Sequence, residues 1–224
     1  MLTSALNSSP LRMLTRDGWL LFLTRFMRLF AYGALSVILV LYLTSLGLSE
    51  PQTGMVLALT LVGDTVISLF LTTRADRIGR RRMLIIGAFL MAGAGLTFAS
   101  TSSLLLLTIA GTIGVISPSG NEVGPFLPIE QAALSQVVAD RIRTSTFAWY
   151  TLGGSVATAI GSLCGGILPQ LRRSTTEASA PSYRPVVFLY AALGLILAFF
   201  FARLSSAAEV NVQGERSVAS AAKS

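Results

Sequence analysis

Asp76-Arg77-Ile78-Gly79-Arg80-Arg81-Arg82 is the stretch that decides the fold of this chain. It separates two long apolar runs. A turn with this much positive charge cannot lie in hydrocarbon, and basic loops of this kind are retained on the cytoplasmic side of a membrane. The stretch therefore marks an inner turn between two spanning helices, and the orientation of the remaining segments follows from it.

Composition agrees. Hydrophobic residues make up 53% of the chain and charged residues 12%, whereas soluble domains are about a quarter charged. The net charge of +7 does not point to nucleic acid, because the basic residues cluster in short turns without interleaved aromatic stacking platforms. A single cysteine, Cys164, excludes a disulfide framework or a cysteine metal site within one chain. Its apolar, glycine-rich setting suits an inert packing thiol. The absence of histidine removes His-dependent nucleophilic and zinc chemistry, so no enzyme, cofactor or metal site is expected.

Six apolar stretches have the length or context of spanning helices, each needing roughly 20 residues. They run from about Trp19 to Leu46, Gln52 to Thr73, Met83 to Ser100, Leu104 to Ile129, Thr144 to Leu168 and Val186 to Leu204. The expected architecture is an all-α membrane protein: a cytoplasmic segment over 1–17, a six-helix domain over 18–206 and a disordered cytoplasmic tail over 207–224. The first span reads as an uncleaved anchor, since residues 1–17 lack an apolar core ending in a small-residue cleavage site. One side of the membrane collects Arg12, Arg16, Arg74, Arg77, Arg80, Arg81, Arg82, Arg141, Arg143, Arg203, Arg216 and Lys223, and the other only Arg172, Arg173 and Arg184. This bias places both termini in the cytoplasm; the plasma membrane is favoured over an organelle. Pro169 to Pro185 is expected to form an external loop.

Two charges fall inside the first span. Arg25 and Arg28 lie roughly 10 and 15 Å below the inner surface at 1.5 Å per residue, and three residues apart they share a helix face. A guanidinium at that depth needs a partner or a water-filled cavity. Asp64 in the second span and Glu122 in the fourth lie at similar depth. The expectation is one polar cavity in the cytoplasmic half lined by Arg25, Arg28, Asp64, Asn121 and Glu122, either structural or opened by a solute or proton. Asp64 and Glu122 are the candidate proton carriers. The fourth span contains Pro118-Ser119-Gly120-Asn121-Glu122-Val123-Gly124-Pro125-Phe126-Leu127-Pro128, an interruption tolerated only where it faces protein or water. Glu130, further on, reads as a membrane-edge acid paired with the basic loop. In the fifth span Gly153, Ala157, Gly161 and Gly165 recur every four residues and form a smooth helix-packing stripe, with Gly154, Thr158 and Ser162 in a second beside it.

The order Asp76-Arg77-Ile78-Gly79-Arg80-Arg81 resembles the loop between helices 2 and 3 of the major facilitator superfamily of transporters, at the matching place between the second and third spans. The family pattern usually carries glycine four residues before the aspartate, where this chain has Thr72. The resemblance implies a gating role for Asp76, Arg77, Gly79, Arg80 and Arg81, which would latch the two halves of a carrier in one of its states. It further implies two inverted three-helix repeats, half of the family's twelve helices, with the fifth span meeting the opposite half. By the same resemblance the chain moves a small solute by alternating access, coupled to a proton or another ion. A second six-helix half or a second copy would complete it, leaving the glycine stripe exposed until then. Arg25 and Arg28 favour an anionic solute. The alternative is a non-transporting membrane protein that associates with a full-length carrier. The drug-antiporter subgroup usually has an arginine in its fourth helix; here Asn121 and Glu122 stand in that region, which argues against that subgroup.

Overall fold

The computed structural model describes residues 13–118, 120, 124–171 and 180–209. All regular structure among them is helical: α1 (Arg16–Ser45), α2 (Glu50–Ile78), α3 (Arg80–Ser100), α4 (Leu104–Ile113), α5 (Phe126–Val137), α6 (Arg143–Leu171) and α7 (Ala180–Phe201). Short 3-10 turns follow α5 at Asp140–Ile142 and α7 at Ser206–Ala208. Five helices, α1, α2, α3, α6 (counted together with the turn before it) and α7, are long and apolar enough to cross a membrane. The fourth apolar stretch is not one helix. It stops at Ile113 and resumes at Phe126, after a segment with proline at 118 and 125 and positive φ at Val115 (53°) and Gly120 (68°).

Local chemistry sets the ends. The Thr15 hydroxyl accepts from the Gly18 N–H at 3.2 Å to open α1, as N-cap residues do. Ahead of α2, the Gln52 side chain accepts from the Ser49 N–H at 2.9 Å, with Pro51 in the first turn. The α2–α3 turn depends on Gly79, whose φ of 115° is unfavourable for any residue with a Cβ.

α1 is the central element. It packs along α6 and α7, α3 packs on α7, and α2 lies outermost with α4. α2 keeps Met55, Val62, Val66, Leu69 and Phe70 exposed, the outward apolar face of a lipid-facing helix. The α1–α6 seam is where the small residues act. A Cβ at Gly161 would stand 2.1 Å from the Phe30 carbonyl oxygen, one at Gly165 2.2 Å from that of Ala34, and one at Gly33 2.2 Å from that of Thr158. Ala157 is fully buried, and the Ser162 hydroxyl donates to the Gly33 carbonyl at 3.2 Å. Small residues let two backbones approach this closely. The stripe is thus covered inside this bundle, not left exposed for an opposite half. Gly153 is not part of the seam, since a Cβ there meets nothing within 4 Å; Gly154, against Leu29 and Arg25, takes its place.

The segment after α7 also departs from a free tail. Ala208 is buried, the Ser205 N–H and hydroxyl both donate to Asp17, and the Glu209 carboxylate accepts from the Arg80 and Arg81 N–H groups at 2.7 and 3.1 Å. Helix α6 runs past Pro169 to Leu171 and α7 begins at Ala180, so both enter the stretch read as an external loop.

Candidate functional site

The deepest polar group is built from α1, α5 and α6. Arg28 and Glu130 are both fully buried and meet at 2.8 Å between Nη2 and Oε2. The Tyr150 hydroxyl donates to the same oxygen at 2.5 Å, and the Thr24 hydroxyl to Oε1 at 3.2 Å. The Arg28 guanidinium lies 4.6 Å from the Phe126 ring centroid, and that of Arg25 4.3 Å from the Tyr150 ring centroid. Arg25 is 6% exposed, so its guanidinium is held within the bundle rather than extended to the surface. One carboxylate thus receives a guanidinium and two hydroxyls, while two aromatic faces screen the cations. Charge-assisted bonds in a low-dielectric interior are strong, and cations over aromatic rings gain further.

Local sequence explains each position. Thr24 and Arg28 lie four apart and Arg25 three before Arg28, so α1 presents all three toward neighbouring helices. On α5, Phe126, Ile129, Ala133 and Leu134 share the buried face with Glu130. Glu130 is accordingly not a membrane-edge acid and does not pair with the basic loop. The cause is the length of the fourth stretch. The chain expected to reach the inner surface near Ile129 resumes its helix at Phe126 and continues to Val137, which places Glu130 beside Arg28 inside the bundle. The apolar neighbours of Glu130 at the preceding fourth and following third and fourth positions were the available signal. Tyr150 and Thr24 carried no such signal, because an isolated Tyr or Thr in an apolar helix is ordinary.

Asp64 is also buried, but it does not join this cluster. Neither of its oxygens has a hydrogen-bond partner among the described residues. Asn121 and Glu122 lie outside the described residues.

At the arginine-rich end, Arg80 Nε pairs with Asp76 Oδ1 at 2.9 Å, one helical turn away across Gly79. Arg80 Nη1 donates to the Ala132 carbonyl of α5 at 3.0 Å, and Arg81 Nη2 to the Ala202 carbonyl after α7 at 2.5 Å. The loop therefore joins α2, α3, α5 and the end of α7. Arg77 is exposed. Sequence reading did not foresee Glu209, which stands 129 residues from Arg80 in a polar stretch.

Residues 21–223 match the model of the Major Facilitator Superfamily. The uncharacterized membrane protein YJR124C of Saccharomyces cerevisiae is 35% identical over 199 residues, covering 88% of this chain and 44% of that protein. A Na(+), Li(+), K(+)/H(+) antiporter of Planococcus maritimus is 30% identical over 115 residues, 51% of this chain and 27% of the antiporter. The crystal structure of a D-xylose-proton symporter superposes with a TM-score of 0.64 at 16% identity, covering 92% of this chain and 51% of the symporter chain; that likeness concerns the fold. The chain thus spans less than half the length of these two sequence relatives. With apolar helices of spanning length, a matching fold and a family match over nearly its whole length, the chain is an integral multi-pass membrane protein that belongs to the major facilitator superfamily of transporters.

Proposed function

We propose that the chain acts as one six-segment half of a secondary transporter, with α1–α3 and α4–α7 as two inverted repeats and both termini in the cytoplasm. It moves a small anionic solute by alternating access against a second half, supplied by another bundle or a second copy. The observation that carries this reading is the buried Arg28–Glu130 pair with its hydroxyl donors. A fully desolvated pair is weak evidence for stability and better suited to a switch. Its chemistry gives two exchanges. An anionic solute replaces Glu130 as the partner of Arg28, or a proton on Glu130 releases Arg28 to the solute. Arg25, over Tyr150, adds positive charge on the same side and favours an anion. The Asp76–Arg80 pair and its contacts to Ala132 and Glu209 act as the latch that holds one state.

The test is binding and uptake of a panel of small organic anions by the chain in proteoliposomes, alone and with a second six-helix half. Arg28→Ala should abolish binding, and Arg81→Ala should leave it within about threefold, less than one lost hydrogen bond. Equal effects from the two substitutions, or no anion bound in either preparation, would refute the assignment.

A further inference from the structure

The seam between α1 and α6 is tight around Gly161 and Gly165 but opens near the start of both helices. There a cleft of about 230 Å³ lies between Trp19, Leu23 and Phe26 of α1 and Tyr150, Gly153 and Gly154 of α6. A Cβ at Gly153 would meet nothing within 4 Å, whereas one at Gly154 would stand 2.5 Å from Leu29 Cδ1 and 2.7 Å from Arg25 Nε. The cleft is therefore open at Gly153 and closed behind Gly154. Tyr150 contributes its ring, its hydroxyl being bonded to Glu130.

The rims are apolar and outward-facing. Trp19, Leu23 and Phe26 are all exposed, as are Trp149 and Leu152 on the α6 side. From Trp19 to Phe26 the helix rises about 10 Å, within the roughly 15 Å of hydrocarbon in one leaflet. On a smooth apolar helix face one acyl chain packs as well as another. A recess with a glycine at its floor and aromatic rings on its walls gives one chain more partner atoms than the bulk lipid does.

Charge supplies the second observation. Arg16 is exposed and lies three residues before Trp19 and seven before Leu23, so it shares their face of α1 at the mouth of the cleft. Arg141 Nη2 lies 3.7 Å from Met13 Sδ, which brings a second exposed guanidinium to the start of α1. No ion pair among the described residues includes either arginine. The acids adjoining them in sequence are engaged elsewhere: Asp17 accepts from Ser205, and Asp140 pairs with Arg143 at 2.5 Å. Two uncompensated cations thus stand at the end of an apolar recess, with Trp19 at the level where tryptophan meets lipid headgroups. A second copy in the same orientation would bring its own arginine-rich end against them. An anionic phospholipid matches both parts, since basic pockets between spanning helices take anionic headgroups.

We infer that the α1–α6 cleft seats an anionic phospholipid, with one acyl chain along Trp19, Leu23, Phe26 and Gly153 and the phosphate held by Arg16 and Arg141. The seat does not rest on transport or on the second half proposed above. The chain has two tryptophans, Trp19 and Trp149, so Trp149→Phe leaves Trp19 as a fluorophore inside the cleft. The full chain with this substitution is reconstituted in phosphatidylcholine vesicles. Its fluorescence is followed as dibrominated phosphatidylglycerol or dibrominated phosphatidylcholine replaces the host lipid. The brominated phosphatidylglycerol should quench Trp19 at about 25-fold lower mole fraction, about fivefold from each arginine, the equivalent of ~1 kcal/mol apiece. Arg16→Gln and Arg141→Gln should each remove about fivefold of that preference, and Gly153→Leu, which fills the recess, should remove it entirely. Arg82→Gln takes away an exposed cation that lines a different cavity and should leave the preference unchanged. Equal quenching by the two lipids, a preference that survives Gly153→Leu, or equal losses from Arg82→Gln and Arg16→Gln would overturn the seat. Absence of quenching by either lipid would overturn it as well, by placing protein over the cleft.

Discussion

Replacing both members of the Arg28–Glu130 pair with methionine should harm the fold less than replacing either one. The two side chains are fully buried and 2.8 Å apart, so each single substitution leaves an uncompensated ion inside the bundle. Losses of about 3–5 kcal/mol are typical of such changes. Glu130→Met also strands the Tyr150 hydroxyl, bonded at 2.5 Å, an unsatisfied donor worth about 1–3 kcal/mol. The expected costs are therefore about 3–5 kcal/mol for Arg28→Met and toward or beyond the top of that range for Glu130→Met. In the double variant no charge is stranded, and apolar replacement of a buried pair is often neutral or stabilising. Only the Tyr150 hydroxyl remains unsatisfied, so the double variant should lie within about 3 kcal/mol of the parent. The coupling energy in the cycle then exceeds the 0.5–3 kcal/mol usual for neighbours. Unfolding in detergent, followed by circular dichroism and by reaction of Cys164 with a maleimide dye, measures all four corners. A double variant destabilised by the sum of the single losses would mean that Arg28 and Glu130 do not compensate each other, and the site would have to be redrawn.

Gly161→Ala and Gly153→Ala should differ in sign: a Cβ at position 161 meets the Phe30 carbonyl oxygen at 2.1 Å and forces α1 and α6 apart, costing about 1–3 kcal/mol. At position 153 the Cβ meets nothing, so the helix gains about 0.5–1 kcal/mol; equal melting shifts would contradict the seam. Tyr150→Phe removes one hydroxyl bond to Glu130 and should lower stability by about 1.5–3 kcal/mol, as for a hydrogen bond to a charged group; a shift near zero in the same melt would show that the bond does not form. Glu209→Gln should speed hydrogen exchange at the Arg80 and Arg81 amides, which the carboxylate accepts, while leaving the amides of α1 unchanged. With Cys164 replaced by alanine, a cysteine at Arg82 should react with an impermeant maleimide only after the inner face is opened; labelling of intact cells would reverse the proposed orientation.

Much of the fold was legible because partitioning between lipid and water acts on each segment separately. Trp19, Met55 and Phe89 need no knowledge of their neighbours to be assigned to apolar helices, and the arginines at 77, 80, 81 and 82 need none to be assigned to a turn. The Asp76–Arg80 contact is likewise a local matter, since the two lie within one helical turn. The fate of Glu130 was not local. Its position depends on where the helix that stops at Ile113 resumes, and residues out of helical geometry, such as Val115 at φ 53° and Gly120 at φ 68°, advance by no fixed rise. The small-residue stripe shows the same division, for its spacing announced close packing but not the partner.

Sequence alone therefore determined the class of the molecule, the apolar segments, the basic turn between two of them and the presence of buried charges in α1. Tertiary structure alone decided that Arg28 meets Glu130, that Tyr150 and Thr24 complete that acid, that Glu209 closes the start of α3, and that α6 spends its glycines on α1. Hydropathy is a property of one segment in its solvent. An ion pair between helices depends on the rotation, depth and interruption of two segments at once, and those are set only when the bundle packs.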